Sequence, residues 1–200
     1  KAKGDLAAAE PLYCEALEAR RETLGNRHPD TLDSISNLGS LFVVKGDLAT
    51  AVLLLREALE GKRETLGDRH PSTLTTMNNL GCLLIDKRDL DTAEPLQREA
   101  LEGMREILGS RHPDTLRSSN ALGVLLAEKG DFAAAEPLLC EALDGQRETL
   151  GLLHSDTLRS INDLGFLLQG IGNLPFRKLV PDSAAERTPE YSFADAEGGG

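Results

Sequence analysis

Apolar residues along this chain fall into stripes spaced three and four apart, and the stripes are of two alternating kinds. Ala9, Leu12, Tyr13, Ala16 and Leu17 form one, and predict an amphipathic helix from Leu6 to about Thr23. Leu32, Ile35, Leu38, Leu41 and Phe42 form the other, and predict a helix from about Pro29 to Lys45. A tight turn at Gly46-Asp47 then leads into a helix over about 48–66. The alternation returns as helices over about 71–87 and 90–108, then 113–129 and 132–150. A further stripe, Leu158, Ile161, Leu164 and Leu168, reaches a turn at Gly172-Asn173-Leu174. Helices this long joined by three-residue turns are antiparallel hairpins.

The punctuation between stripes has a period of its own. Leu24-Gly25-Asn26-Arg27-His28-Pro29-Asp30-Thr31-Leu32 comes back from Leu66, Leu108 and Leu150, so that Gly25, Gly67, Gly109 and Gly151 stand 42 residues apart. A second block, starting at Lys3, Lys45, Lys87 and Lys129, recurs in phase. Such recurrence marks an array of stacked units. The first glycine of each linker stops a helix, and Pro29 opens the next where a missing N–H costs nothing. Asp5 is placed to cap the helix that follows it. The division is then a half unit over 1–24 holding only its second helix, full units over 25–66, 67–108 and 109–150, and a partial unit over 151–174. After that the period stops: Pro175-Phe176-Arg177 stands where a second helix should open, and 175–200 reads as a disordered tail.

Some residues break local rules in every unit. Gly39, Gly81, Gly123 and Gly165 interrupt the first helix twelve residues before Ala51, Ala93 and Ala135 of the second. A helical glycine costs roughly 0.5–1 kcal/mol relative to alanine, so these are expected where two backbones approach. Pro11, Pro95 and Pro137 lie beyond the first turn and should each remove a bond and bend the helix, whereas Val52-Leu53 replaces Glu-Pro in the first full unit. Gly61, Gly103 and Gly145 either allow close packing or mark an exposed, tolerant site.

Composition narrows the partners more than the fold. There is no Trp and aromatics are 4%, so the core is built from Leu, Ala and Val, which suits stacked helices. A formal net charge of −11 argues against nucleic acid or an anionic membrane as partner, and no long apolar run predicts a membrane span. Cys14, Cys82 and Cys140 form no CxxC pair and fit a reducing, cytoplasmic setting. His28, His70, His112 and His154 occur once per unit, too widely spaced to close on one metal ion, and read as linker residues packing beside proline. No cofactor is implied, and nothing in the pattern sets a base beside a cysteine, so no enzyme is expected.

Leu38-Gly39, Phe42, Ala51, Leu55 and Ala58, with their counterparts 42 and 84 residues on, stand at the spacing of the tetratricopeptide repeat. The chain resembles that family over about residues 3–174, Gln97 departing at a normally apolar site. The longer unit, with its LGxxHPxTL linker, is similar to the kinesin-light-chain type. The resemblance implies an all-α, right-handed α-solenoid whose first helices line a concave groove. It places there, among others, Ser36, Asn37, Asn78, Asn79, Arg117, Asn120, Arg159 and Asn162, with Asp163 and Phe166 beside them. Asparagine amides offer donor and acceptor to a peptide backbone, and Arg117 and Arg159 a positive spot for a carboxylate. The expectation is a non-catalytic protein-interaction module, an adaptor or scaffold, binding an extended acidic or mixed peptide. The alternatives are a spacer or self-association segment acting through uncovered solenoid ends, a regulatory array of a multidomain protein, and asparagines that merely cap or solvate their helix.

Overall fold

A computed structural model of the chain describes residues 6–172; Asp5 and the expected tail over 175–200 lie outside the described residues. Among the described residues there are eight helices and no strand: α1 (Leu6–Leu24), α2 (Pro29–Lys45), α3 (Leu48–Leu66), α4 (Pro71–Asp86), α5 (Leu90–Leu108), α6 (Pro113–Glu128), α7 (Phe132–Leu150) and α8 (Ser155–Gly170). Each packs on its chain neighbours, and α4 with α6 and α6 with α8 touch again across the stack.

The helix ends explain the linker. In all four copies the histidine is the N-cap, its Nδ1 accepting the N–H two residues on at 3.2 Å: His28 from Asp30, His70 from Ser72, His112 from Asp114 and His154 from Asp156. That sharpens the expected linker role into a capping one. Asp47, Asp89 and Asp131 cap the second helices through the N–H of Thr50, Thr92 and Ala134. The hairpin turn needs a left-handed residue, which is Gly46, Gly130 and Gly172 at three turns but Arg88, with φ 63°, at the other.

The glycines inside α2 to α7 are contact points, whereas at Gly165 of α8, also expected at a close approach, no described atom lies within 4 Å of a Cβ. A Cβ on Gly39 would sit 3.1 Å from Leu55 Cγ, and one on Gly123 2.7 Å from Leu139 Cγ. At Gly81 the neighbour is the Gln97 amide, whose Nε2 would lie 2.6 Å away. Gly61, Gly103 and Gly145 allow close packing too, since Cβ atoms there would meet Leu32, Leu74 and Leu116 at 2.4–2.6 Å. These glycines are buried, not tolerant surface sites.

One expectation changes. The stripe on α1 is not buried as a whole: Leu17 is, but Leu12 and Tyr13 are exposed, because no described helix precedes α1 to cover its other side. The helices holding Pro11, Pro95 and Pro137 run unbroken for 19 residues, the same length as α3 without a proline. The Glu before Pro11 and before Pro95 has its own use. Lys45 pairs with Glu10, and Lys129 with Glu94 and Asp91, both at 2.8 Å, tying one unit to the previous one. For Lys87 that register holds Val52 in place of a glutamate, and it makes no ion pair among the described residues.

Two further ladders run along the stack. Arg21, Arg63 and Arg105 each bind the glutamate 36 residues on, Glu57, Glu99 and Glu141, joining α1 to α3 to α5 to α7. Such exposed pairs contribute about 0.2–1 kcal/mol each. Inside, Arg20 donates to Ser34, Lys62 to Thr76, and Ser160 to Gln146, always 14 residues apart. Met104 breaks the series and leaves Ser118 Oγ buried without a partner. The burial of some thirty apolar side chains, at roughly 1.5–3 kcal/mol for each large one, dominates over all of these.

Candidate peptide-binding cleft

The first helices of successive units lie side by side, so residues three and four apart on each make columns running along the stack. One column is Ser36, Asn78, Asn120 and Asn162; the next is Asn37, Asn79, Ala121 and Asp163. A cleft of about 560 Å³ opens between α4, α6 and α8, with Asn78, Asn79, Arg117, Asn120 and Arg159 in its walls. Asp86, Gln146, Asp156, Ser160 and Asp163 also line it. A smaller apolar cavity of about 340 Å³ shares Val124 and Asp163 with it and lies among Ala127, Phe132, Phe166 and Leu167.

Five of the eight expected residues therefore come together and three do not. Ser36 is buried, donates to Leu32 O at 3.0 Å and accepts from Lys62 Nζ at 3.1 Å, so its hydroxyl is fully committed. Asn37 is exposed outside the cleft. The reason is Lys62, 2% exposed, whose ammonium lies between α2 and α4 and binds Ser36, Thr76 and Asp33, the last at 2.7 Å. Asp33 also accepts from Ser72 Oγ, a further tie between α2 and α4. Burial raises the Asp33 pKa, but the Lys62 bond and charge and the Ser72 bond outweigh it and hold the carboxyl below its ordinary value. Asn162 is exposed and outside the cleft walls, because no described helix follows α8 to cover that column.

The remaining asparagines differ from a solvated row. Asn120 Nδ2 donates to Asp163 Oδ2 at 2.6 Å, one column across and 43 residues on. The same step from Asn78 reaches Ala121, which has nothing to offer. Among the described residues neither Asn78 Oδ1 nor Asn120 Oδ1, both buried, has a partner. Behind Asn78, the buried Gln97 amide donates to Asn78 O at 3.1 Å and to Cys82 Sγ at 3.4 Å, which accounts for a polar residue at a site that is apolar in other units.

Charge is mixed. Arg117 is engaged by Asp114, one turn earlier on α6, whereas Arg159 is exposed and makes no ion pair among the described residues. Burial pushes the Asp163 carboxyl above its usual value, against the Asn120 bond and the Arg159 charge. Burial likewise pushes the Cys82 thiol up, so it is no ready nucleophile. Two arginines face three aspartates in the cleft, so the positive spot expected at this end is offset. Sequence reasoning put Asp163 on this face but not among the ligand contacts; its 43-residue spacing from Asn120 was the available clue.

Stacked helical hairpins enclosing a cleft along their first helices define an α-solenoid of protein-interaction type. A family model of the tetratricopeptide repeat matches residues 1–64, 45–102 and 83–148, and the chain belongs to that family, with a unit of 42 residues. Members are in general non-catalytic modules that bind proteins or peptides. A crystal structure from Podosopora anserina with nearly identical TPR-like repeats, assigned as a kinesin light chain, is 26% identical with TM-score 0.72, over 84% of this chain and 80% of that one. BtubC (BKLC) from P. vanneervenii is 24% identical with TM-score 0.76, over 98% and 80%. The apo form of RapI is 17% identical with TM-score 0.75, over 92% and 67%. The last two share the fold. No curated protein matches the sequence. No helix among the described residues is long and apolar enough to cross a membrane.

Proposed function

We propose that this chain is a non-catalytic adaptor or scaffold module, of kinesin-light-chain-like type, that holds an extended peptide segment of a partner protein in the cleft of α4, α6 and α8. The units are the half repeat 1–24, full repeats 25–66, 67–108 and 109–150, and the partial repeat 151–174. The observation that carries the reading is the pair of buried amide oxygens, Asn78 Oδ1 and Asn120 Oδ1, which belong to two residues lining the cleft and have no partner among the described residues. A buried acceptor without a donor costs about 1–3 kcal/mol, and a peptide N–H relieves it. Arg159 takes a carboxylate of the segment, and the cavity between Phe132 and Phe166 an apolar side chain. Three free cysteines suit a cytoplasmic setting.

Self-association is the second reading, favoured by exposed Leu12 and Tyr13 on α1 and Phe166 on α8. A peptide-array screen against the full chain separates the two. Binding that falls at least tenfold in an Asn78→Ala, Arg159→Ala variant with unchanged helical circular dichroism is the expected result. Hits that survive in that variant, or no hits together with concentration-dependent dimers in light scattering, would refute it.

A further inference from the structure

The floor of the cleft is a set of acceptors. Asn78 and Asn120 are 3% and 6% exposed, both line the cleft, and the Oδ1 of each, buried just beneath its surface, lacks a partner among the described residues. Asn120 fixes its own orientation, because its Nδ2 must face the Asp163 carboxylate and the carbonyl oxygen is then the free end. Asp163 is half-buried and forms no ion pair with a described lysine or arginine.

The groups around Asp163 do not supply that cation. From α6 come Arg117, already held by Asp114, and Glu128; from α7 only the uncharged Gln146, Phe132 and Leu139; from α8 itself Asp156 and Arg159, the latter acting through its charge alone. A carboxylate taken part-way out of water beside the unsatisfied carbonyl oxygen of Asn120 is a costly arrangement, and donor-only groups relieve it. A guanidinium has five N–H donors in a planar fork and pairs with a carboxylate through two of them, an ammonium three donors without that geometry. The net charge of −11 draws cationic segments toward the chain.

Resting on the peptide-cleft reading above, we propose that the cleft is a receptor for a basic side chain of the bound segment, an arginine guanidinium above all, seated on Asp163 and Asn120. Asn78 Oδ1, one unit along, takes a second donor of the same segment. The segment is thus of mixed charge, its acid on Arg159 and its base on Asp163, rather than simply acidic.

The test titrates isotope-labelled full-length chain with N-acetyl-arginine amide and, separately, with N-acetyl-citrulline amide, its uncharged isostere, reading the Asn78 and Asn120 side-chain amides by NMR. The arginine compound is expected to shift the Asn120 amide saturably and the citrulline compound to bind at least tenfold more weakly. Asp163→Asn abolishes the arginine response, while Asn37→Ala, outside the cleft, retains it. Equal responses to the two compounds, or an undiminished response in Asp163→Asn, would overturn the proposal; the first arm decides even if that variant fails to fold. Array peptides that bind wild type and Asp163→Asn alike would remove the basic-side-chain site yet leave the peptide cleft standing.

Discussion

Gly123 and Gly165 occupy the same place in successive units, yet replacing each by alanine should move stability in opposite directions. The helix-propensity gain is common to both, about 1 kcal/mol in a helix interior. What differs is the space. At Gly123 the new Cβ would lie 2.7 Å from Leu139 Cγ and 2.8 Å from its Cδ2, and Leu139 is fully buried. The branch carbon of a buried leucine cannot swing aside, so overpacking costs about 1–3 kcal/mol. Gly123→Ala is then destabilising by up to about 2 kcal/mol. At Gly165 no atom of the described residues lies within 4 Å, and the full gain of about 1 kcal/mol remains. At roughly 2–4 °C per kcal/mol for a chain of this size, calorimetry separates the variants by several degrees. Because a change in local stability shows in local opening, hydrogen exchange of the α8 amides gives the more direct reading for Gly165→Ala, which should slow it. Both variants shifting the same way, or Gly123→Ala stabilising, would refute the idea that these glycines exist for close helix contact.

Two further expectations follow from polar groups. Ser160→Ala breaks its 2.7 Å bond to buried Gln146 and should cost about 1 kcal/mol, whereas Ser118→Ala removes a hydroxyl that has no partner beside Met104 and should cost close to nothing, checked by urea titration of both. Asp163→Asn should raise the melting temperature at neutral pH. Burial raises the folded-state pKa of Asp163 above 3.8, so the charged form opposes folding, and that opposition fades as pH falls through the raised value. The melting-temperature gap between wild type and variant should therefore narrow on acidification; a gap that widened would contradict it. Stability gained by a change that abolishes binding is common at functional sites.

The helices, their ends within a residue or so, the hairpin pairing and the family were legible in the order of residues. Each depends on local chemistry: apolar spacing of 3.6, a proline at a first turn, a glycine after a last one, copied at 42-residue intervals. Half of the site was legible in the same way, since position within a unit decides which face a residue occupies, and so Asn78, Asn79, Arg117, Asn120 and Arg159 came together. What the sequence could not show is which of those faces stay open. Ser36 is lost to Lys62, a residue 26 positions away that only packing brings beside it, and Asn162 lies outside the cleft because no described helix follows α8 to cover its column. The Asp163 carboxylate bonded to Asn120 and the two orphaned amide oxygens likewise exist only once neighbouring units stack, because whether a polar atom finds a partner depends on what the next helix sets against it.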